Sequence, residues 1–168
     1  MAKDYQKLVD KCMEMGANGA KLMKTDDVVF DPRSHFKCRF GCNRWGKYWT
    51  CPPHNGLSQE AFMESFGKYE DALVFKTADP KLGQEIAVAI EKEALLSHGA
   101  VFAFALALCV QCDECAYPDP CRYPHLARPT MDAYGVDIGK TVERLDFEVT
   151  FDKKGELVPA WYSMVLLD

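Results

Sequence analysis

The chain of 168 residues carries eight cysteines, at positions 12, 38, 42, 51, 109, 112, 115 and 121. Seven of the eight fall in two tight groups, and that clustering constrains the fold more than any other feature. A chain of this length buries roughly 70% of its unfolded surface and needs no disulfide to hold its core. In a reducing compartment, grouped thiols are metal ligands rather than cross-links. The fold is therefore expected to present two cysteine-bearing loops on a conventional apolar core.

The second group reads Cys109-x2-Cys112-x2-Cys115-x5-Cys121. Three cysteines each three apart bring three thiolates round one small object, as in the bacterial ferredoxin run that holds a cubane. Tetrahedral zinc more often takes two C-x2-C pairs far apart in sequence. Between these cysteines lie Val110, Gln111, Asp113 and Glu114, too polar a set for a core strand. The expected metal sites are 4Fe-4S clusters, two of them, with zinc as the alternative.

The first group is Cys38-x3-Cys42-x8-Cys51, followed by Pro52-Pro53. It holds three cysteines, one short of a complete cubane. Around it the charge is one-sided. From Pro32 to Gln59 there is no Asp or Glu, while Arg33, Lys37, Arg39, Arg44 and Lys47 all fall there. A thiolate-bound cluster is an anion, and nearby cations offset the cost of holding it in a low dielectric. Arg39, Arg44 and Lys47 are the residues expected to face a cluster or an anionic substrate. A solvated surface is the plainer reading of the same run. Near the second group Arg122 is the immediate cation, among Asp113, Glu114 and Asp119.

A fourth ligand for the first group is none, Cys12, His35 or His54. Cys12 lies on the apolar face of an expected first helix and reads as a small core residue. His35 and His54 flank the group, and each taken alone reads as a surface residue. The aromatic residues Phe36, Phe40, Trp45, Tyr48 and Trp49 read as core packing that would also keep water from a cluster.

The periodicities predict one domain over 1–168 with an α/β fold: a single-layered mixed sheet flanked by helices, the two cysteine-rich loops at one end of the sheet. A helix is expected over Lys3–Met15, a strand within Ala20–Phe30 broken at Asp26 and Asp27, and an irregular stretch from Pro32 to Asn55. Ser58 should cap a helix to Phe66, and Pro80 should open one reaching Ser97. Strands are expected at Ala72–Thr77 and Ala100–Leu108. Pro129–Leu145 reads as a helix broken at Gly135 and recapped at Asp137. A C-terminal hairpin is expected from Phe147, Val149 and Phe151 through a turn at Asp152–Gly155 to Val158–Leu167. If the strands before the two cysteine groups run parallel, both groups emerge at one end of the sheet, where α/β folds gather ligands.

The residues Cys109 to Pro124, with Cys115-Ala-Tyr-Pro-Asp-Pro-Cys121 at their centre, and Ala127-Arg-Pro-Thr-Met-Asp-Ala-Tyr-Gly-Val-Asp137 resemble the DUF2284 family of predicted metal-binding proteins. The Cys38/Cys42 pair and Cys51-Pro-Pro53 match its N-terminal part. Thr130 and Asp132 stand where Ser and Glu are expected, and Ala107 where Gly is usual; none of these touches the cysteine pattern. The resemblance implies metal binding, read as iron–sulfur clusters in an anaerobe's cytoplasm, and implies no reaction.

The net charge of −5 argues against general nucleic-acid binding. The longest apolar run, Ala100 to Val110, is too short to span a membrane, which takes about 20 residues. The polar N-terminus does not read as a signal peptide, so a cytoplasmic protein is expected. The leading expectation is electron transfer, or a redox accessory role beside a larger enzyme, with a protein redox partner or a small anionic substrate at the basic loop. Two alternatives stand beside it. One is a cluster enzyme whose seven grouped cysteines leave one iron open as a Lewis acid or sulfur-binding centre. The other is a zinc-stabilised binding module.

Overall fold

A computed structural model describes residues 3–147, 153–156 and 158–168. Its centre is one four-stranded sheet of β1 (Gly19–Lys24), β2 (Asp71–Thr77), β3 (Ala103–Leu106) and β4 (Trp161–Leu167), in the spatial order β1-β2-β4-β3. The helices are α1 (Gln6–Glu14), α2 (Ser34–Gly41), α3 (Gln59–Phe66), α4 (Pro80–Ser97) and α5 (Ile138–Glu143).

The α/β class and the single sheet with helices against it stand as the sequence implied. The pairing does not: all three ladders are antiparallel, so the sheet is not mixed. Because β2 and β3 each run antiparallel to β4, they share a direction with β4 between them. The strand before the first cysteine group, β1, runs opposite to β3. The expected route to a shared sheet end, parallel strands before each group, is therefore not the one taken.

Both faces of the sheet are buried, which explains the unbroken apolar run in β2. Leu73, Phe75, Val165 and Leu167 point to one side and pack with Leu8 and Cys12 of α1 and Ile86 and Ile90 of α4. Ala72, Val74, Met164 and Leu166 point to the other, against Phe62 and Phe66 of α3, Tyr134 and Val136. Burying each such large side chain contributes about 1.5–3 kcal/mol. Helix α4 lies so close to the sheet that a Cβ on Gly83 would meet Thr77 Oγ1 at 2.9 Å.

Local signals placed the helix starts well. Ser58 Oγ accepts from Ala61 N, the Asp79 carboxylate from Lys81 N and Leu82 N ahead of Pro80, and Asp137 from Lys140 N. A 3-10 turn at Asp132–Tyr134 ends at Gly135 with φ 93°, the expected break. Another at Thr25–Asp27 ends the first strand region. Two expectations are corrected. The stretch from Pro32 is not irregular throughout, since Ser34–Gly41 is helical. The strand expected over Ala100–Leu108 pairs only at Ala103–Leu106. The first arm of the expected C-terminal hairpin, at Val149 and Phe151, lies outside the described residues; its return is β4.

After β1 the chain passes along the second face, where Phe30 bridges Val136. It then delivers α2 and the loop after it to the end of the sheet where β3 finishes.

Candidate metal centre

The second cysteine loop leaves β3 directly and is tied down at both feet. Gln84, fully buried on the first turns of α4, accepts from Val110 N at 2.8 Å and donates to Leu126 O at 2.9 Å. One side-chain amide thus clasps the start and the end of the segment that holds Cys109, Cys112, Cys115 and Cys121. Two turns further along, Glu91 receives the Arg128 guanidinium bidentately, at 2.8 and 2.5 Å, and also accepts from Ala105 N at 2.7 Å. That carboxylate links α4, the outer edge of β3 and the loop's C-terminal foot. Ala107 N donates to Pro129 O, closing the base.

Held this way, all four cysteines are half-buried and line one cavity. Its other walls include Tyr48, Trp49 and Thr50 from the first loop, and Arg122 and Tyr123 from the second. The void is about 20 Å³, room for one water. The donor set fits a cysteine-ligated metal group in chemistry, four thiols about one cavity behind aromatic walls. In volume the loop would have to spread to take a cubane. Among the described residues no three His, Cys, Asp or Glu side chains stand in the tight arrangement of a single ion's ligands.

In the first group, Cys38 on α2 and Cys42 just past its end are four residues apart, so the helix turn presents them on one face. Burial first, then the Asp132 carboxylate and the Cys42 and Cys51 thiols, push the Cys38 thiol up to about 12. Burial pushes Cys51 up to about 11, opposed by the Arg44 charge. These mutual effects put the three thiols of this group in one neighbourhood. Both raised thiols are protonated at neutral pH, so a metal that binds them must displace protons. Cys42 is exposed. Cys38 Sγ faces the backbone carbonyl of Asp132 at 4.0 Å.

The two loops meet. Arg44 donates to Cys109 O at 2.8 Å while its guanidinium lies 4.4 Å from the Tyr48 ring centroid. Trp49 Nε1 donates to Asp119 O at 2.8 Å, and its ring meets Tyr117 edge-on. His54 stacks on Tyr117, with centroids 4.2 Å apart. The convergence expected from parallel strands is thus reached through loop–loop contacts.

The remaining expected residues divide. Cys12 is fully buried between α1, α4 and the sheet, in the apolar core. His35 meets Trp45 edge-on, and His54 is stacked on Tyr117. Arg39 lies over the rings of Phe40 and Trp45. Lys47 is exposed. Arg122 donates to Glu114 O inside the second loop and borders its cavity. Sequence reasoning did not single out Gln84, Glu91 or Arg128, and it set Asp132 apart from the cysteines, whereas the fold places it beside Cys38. A glutamine and a glutamate seven residues apart on one helix face, in an otherwise apolar stripe, were the signal available for the first two.

A family model described as a predicted metal-binding protein matches residues 21–167. The chain belongs to the DUF2284 family. No curated protein and no solved structure matches it. The family's description is of a predicted metal-binding protein; the match covers nearly the whole length of the chain and does not specify the metal. Among the described residues no helix is long and apolar enough to cross a membrane.

Proposed function

We propose that this DUF2284 protein is an iron–sulfur protein with two 4Fe-4S clusters, serving electron transfer or a redox accessory step. The observation that carries the reading is the Cys109, Cys112, Cys115 and Cys121 set round one cavity, with ferredoxin-like spacing and aromatic walls. Such a cluster, when bound, supplies one-electron chemistry. The chain's own residues do the rest. Gln84 and the Glu91–Arg128 pair fix the loop. Arg44 and Arg122 bring positive charge to it, and Tyr48, Trp49 and Tyr123 limit water.

A second reading has its own observation. The first group holds three cysteines, and Cys42 is exposed. An iron there without a fourth thiolate would be open to a substrate, as a Lewis acid or sulfur-binding centre. Anaerobic purification followed by iron, acid-labile sulfide and zinc analysis tests the proposal. Iron with equimolar sulfide is expected, with broad visible absorbance. Stoichiometric zinc without sulfide would refute it and leave a zinc-stabilised module. An exchangeable iron lost first on mild oxidation would favour the enzyme reading over the carrier.

A further inference from the structure

Three thiols make an incomplete coordination shell, and the fold brings a fourth donor to them from 94 residues further on than Cys38. The 3-10 turn Asp132–Tyr134 is fastened to both ends of the segment that carries Cys38, Cys42 and Cys51. Before α2, Asp31 N donates to Gly135 O at 2.8 Å, and Phe30 bridges Val136. After Cys51, Asn55 Nδ2 donates to Ala133 O at 3.4 Å, and Tyr134 Oη donates to Asn55 O at 3.0 Å. The Tyr134 ring is stacked on Phe62 of α3 with centroids 4.0 Å apart, which anchors the turn in the core. Between these ties Cys38 Sγ faces Asp132 O at 4.0 Å. Asp132 is therefore held beside the thiols by its own backbone and by its neighbours.

The Asp132 carboxylate is spare. It is half-buried, and among the described residues it forms no ion pair and accepts no hydrogen bond. The cations nearest in sequence are taken: Arg128 by Glu91, and Lys140 by Asp31 and Asp137. Burial is the largest cause that raises the Cys38 and Cys51 thiols, and the Asp132 charge adds to it at both. Arg44 opposes this at Cys51. Three thiolates and a carboxylate in one neighbourhood repel one another; a metal cation among them makes the same arrangement favourable. The other candidates for a fourth ligand are placed elsewhere. Cys12 is in the core on the opposite face of the sheet, and the His35 and His54 rings are packed on Trp45 and Tyr117.

We infer that Asp132 is the fourth donor, through a carboxylate oxygen, to the metal group held by Cys38, Cys42 and Cys51. The inference rests on the metal-binding reading and adds a ligand to it, whichever metal is bound. A carboxylate is a harder donor than a thiolate, so the Asp132 corner is the one from which a soft metal exchanges most readily.

Transfer of metal to a chelator from the full chain, loaded anaerobically, tests it. Cys42→Ser identifies the share of the metal that belongs to the first group. Asp132→Asn keeps the shape of the side chain and removes its charge. It should speed release of that share by at least about tenfold, the lower end of what even an outer-shell partner costs, and leave the remaining metal unaffected. A carboxylate that is only a neighbouring anion predicts the opposite sign, because its removal lessens repulsion and the metal is held as tightly or more tightly. Asp132→Cys puts a thiolate in the same place. It should release the first group's metal more slowly than Asp132→Asn and change its visible absorbance, a result that a misfolded variant cannot give. Release from Asp132→Asn no faster than from the unaltered chain, equal acceleration at both groups, or an Asp132→Cys variant no slower than Asp132→Asn would each overturn the inference. Metal content of the unaltered chain is read first. No metal there would overturn the metal reading and the inference with it, whereas bound metal indifferent to Asp132 would overturn the inference alone.

Discussion

The clasp made by Gln84 yields the sharpest prediction. Gln84→Leu keeps the volume and apolar environment but removes both the acceptor for Val110 N and the donor to Leu126 O. A buried polar group left unpaired costs about 1–3 kcal/mol. Val110 and Leu126 are half-buried, so water reaches part of what is lost and the lower end applies to each. The sum is about 2–4 kcal/mol, within the 5–15 kcal/mol that a domain has in total. The variant should fold, since the α4 face towards the sheet keeps Ile86, Ala87 and Ile90. Urea unfolding at fixed pH measures the stability, and transfer of metal to a chelator measures the loop. A lower midpoint at unchanged slope is expected, together with faster metal loss. Glu85→Ala, one residue on and exposed, should change neither. Stability within about 0.5 kcal/mol of the unaltered chain, the scatter of ordinary surface substitutions, together with unaltered metal loss, would refute the clasp.

Arg128→Leu leaves the Glu91 carboxylate, largely buried, without its cation, so a loss of about 3 kcal/mol is expected in the same urea assay. Glu91→Gln, which retains an acceptor for Ala105 N, should cost less. Burial pushes the Cys12 thiol up to about 12 from an ordinary 9. The folded state therefore favours the neutral thiol. Its contribution is fully present below pH 9 and is lost as pH rises towards 12, at about 1.4 kcal/mol per pH unit. Cys12→Ala should flatten that slope above pH 9 while keeping full metal content; loss of about half the metal would instead make Cys12 a ligand of one of two sites.

Much of this was legible in the residues, and what was not has identifiable causes. Helix starts depend on contacts within four residues, so Ser58, Pro80 and Asp137 revealed them. The alternating register of β2 and β4 was hidden, because burial on both faces leaves a continuous apolar run with no polar side to count. Strand direction is set by which ladders pair across long separations, and nothing local in β1 or β3 states it. The helix at Ser34–Gly41 was missed because its apolar residues, Phe36 and Phe40, are spaced for one face yet face outwards, the latter 80% exposed. The cysteines were legible as groups because metal ligation leaves a dense spacing. Their supports were not, because Gln84 bonds to backbone atoms 26 and 42 residues away and Glu91 to the Arg128 side chain 37 residues away.

The basic run around Cys38, Cys42 and Cys51 illustrates why composition alone misplaces charge. Its five cations suggested an electropositive shell around one group. In the fold Arg33 is spent on Asp31, and Arg39 on the Phe40 and Trp45 rings. Arg44 reaches across to Cys109 O while still acting on the Cys51 thiol. Its charge is therefore shared between the two cysteine groups. Arg122 adds to the second group alone. Positive charge favours a thiolate-bound, negatively charged group wherever it is close and poorly solvated. The half-buried Arg44 meets both conditions better than exposed Lys47. The electrostatic difference between the two groups is thus smaller than the sequence count implies. The difference that remains lies in exposure: the second group is half-buried behind a clasped loop, while the first has Cys42 open to solvent. If the groups hold clusters of unequal lability, the open one should be the first lost.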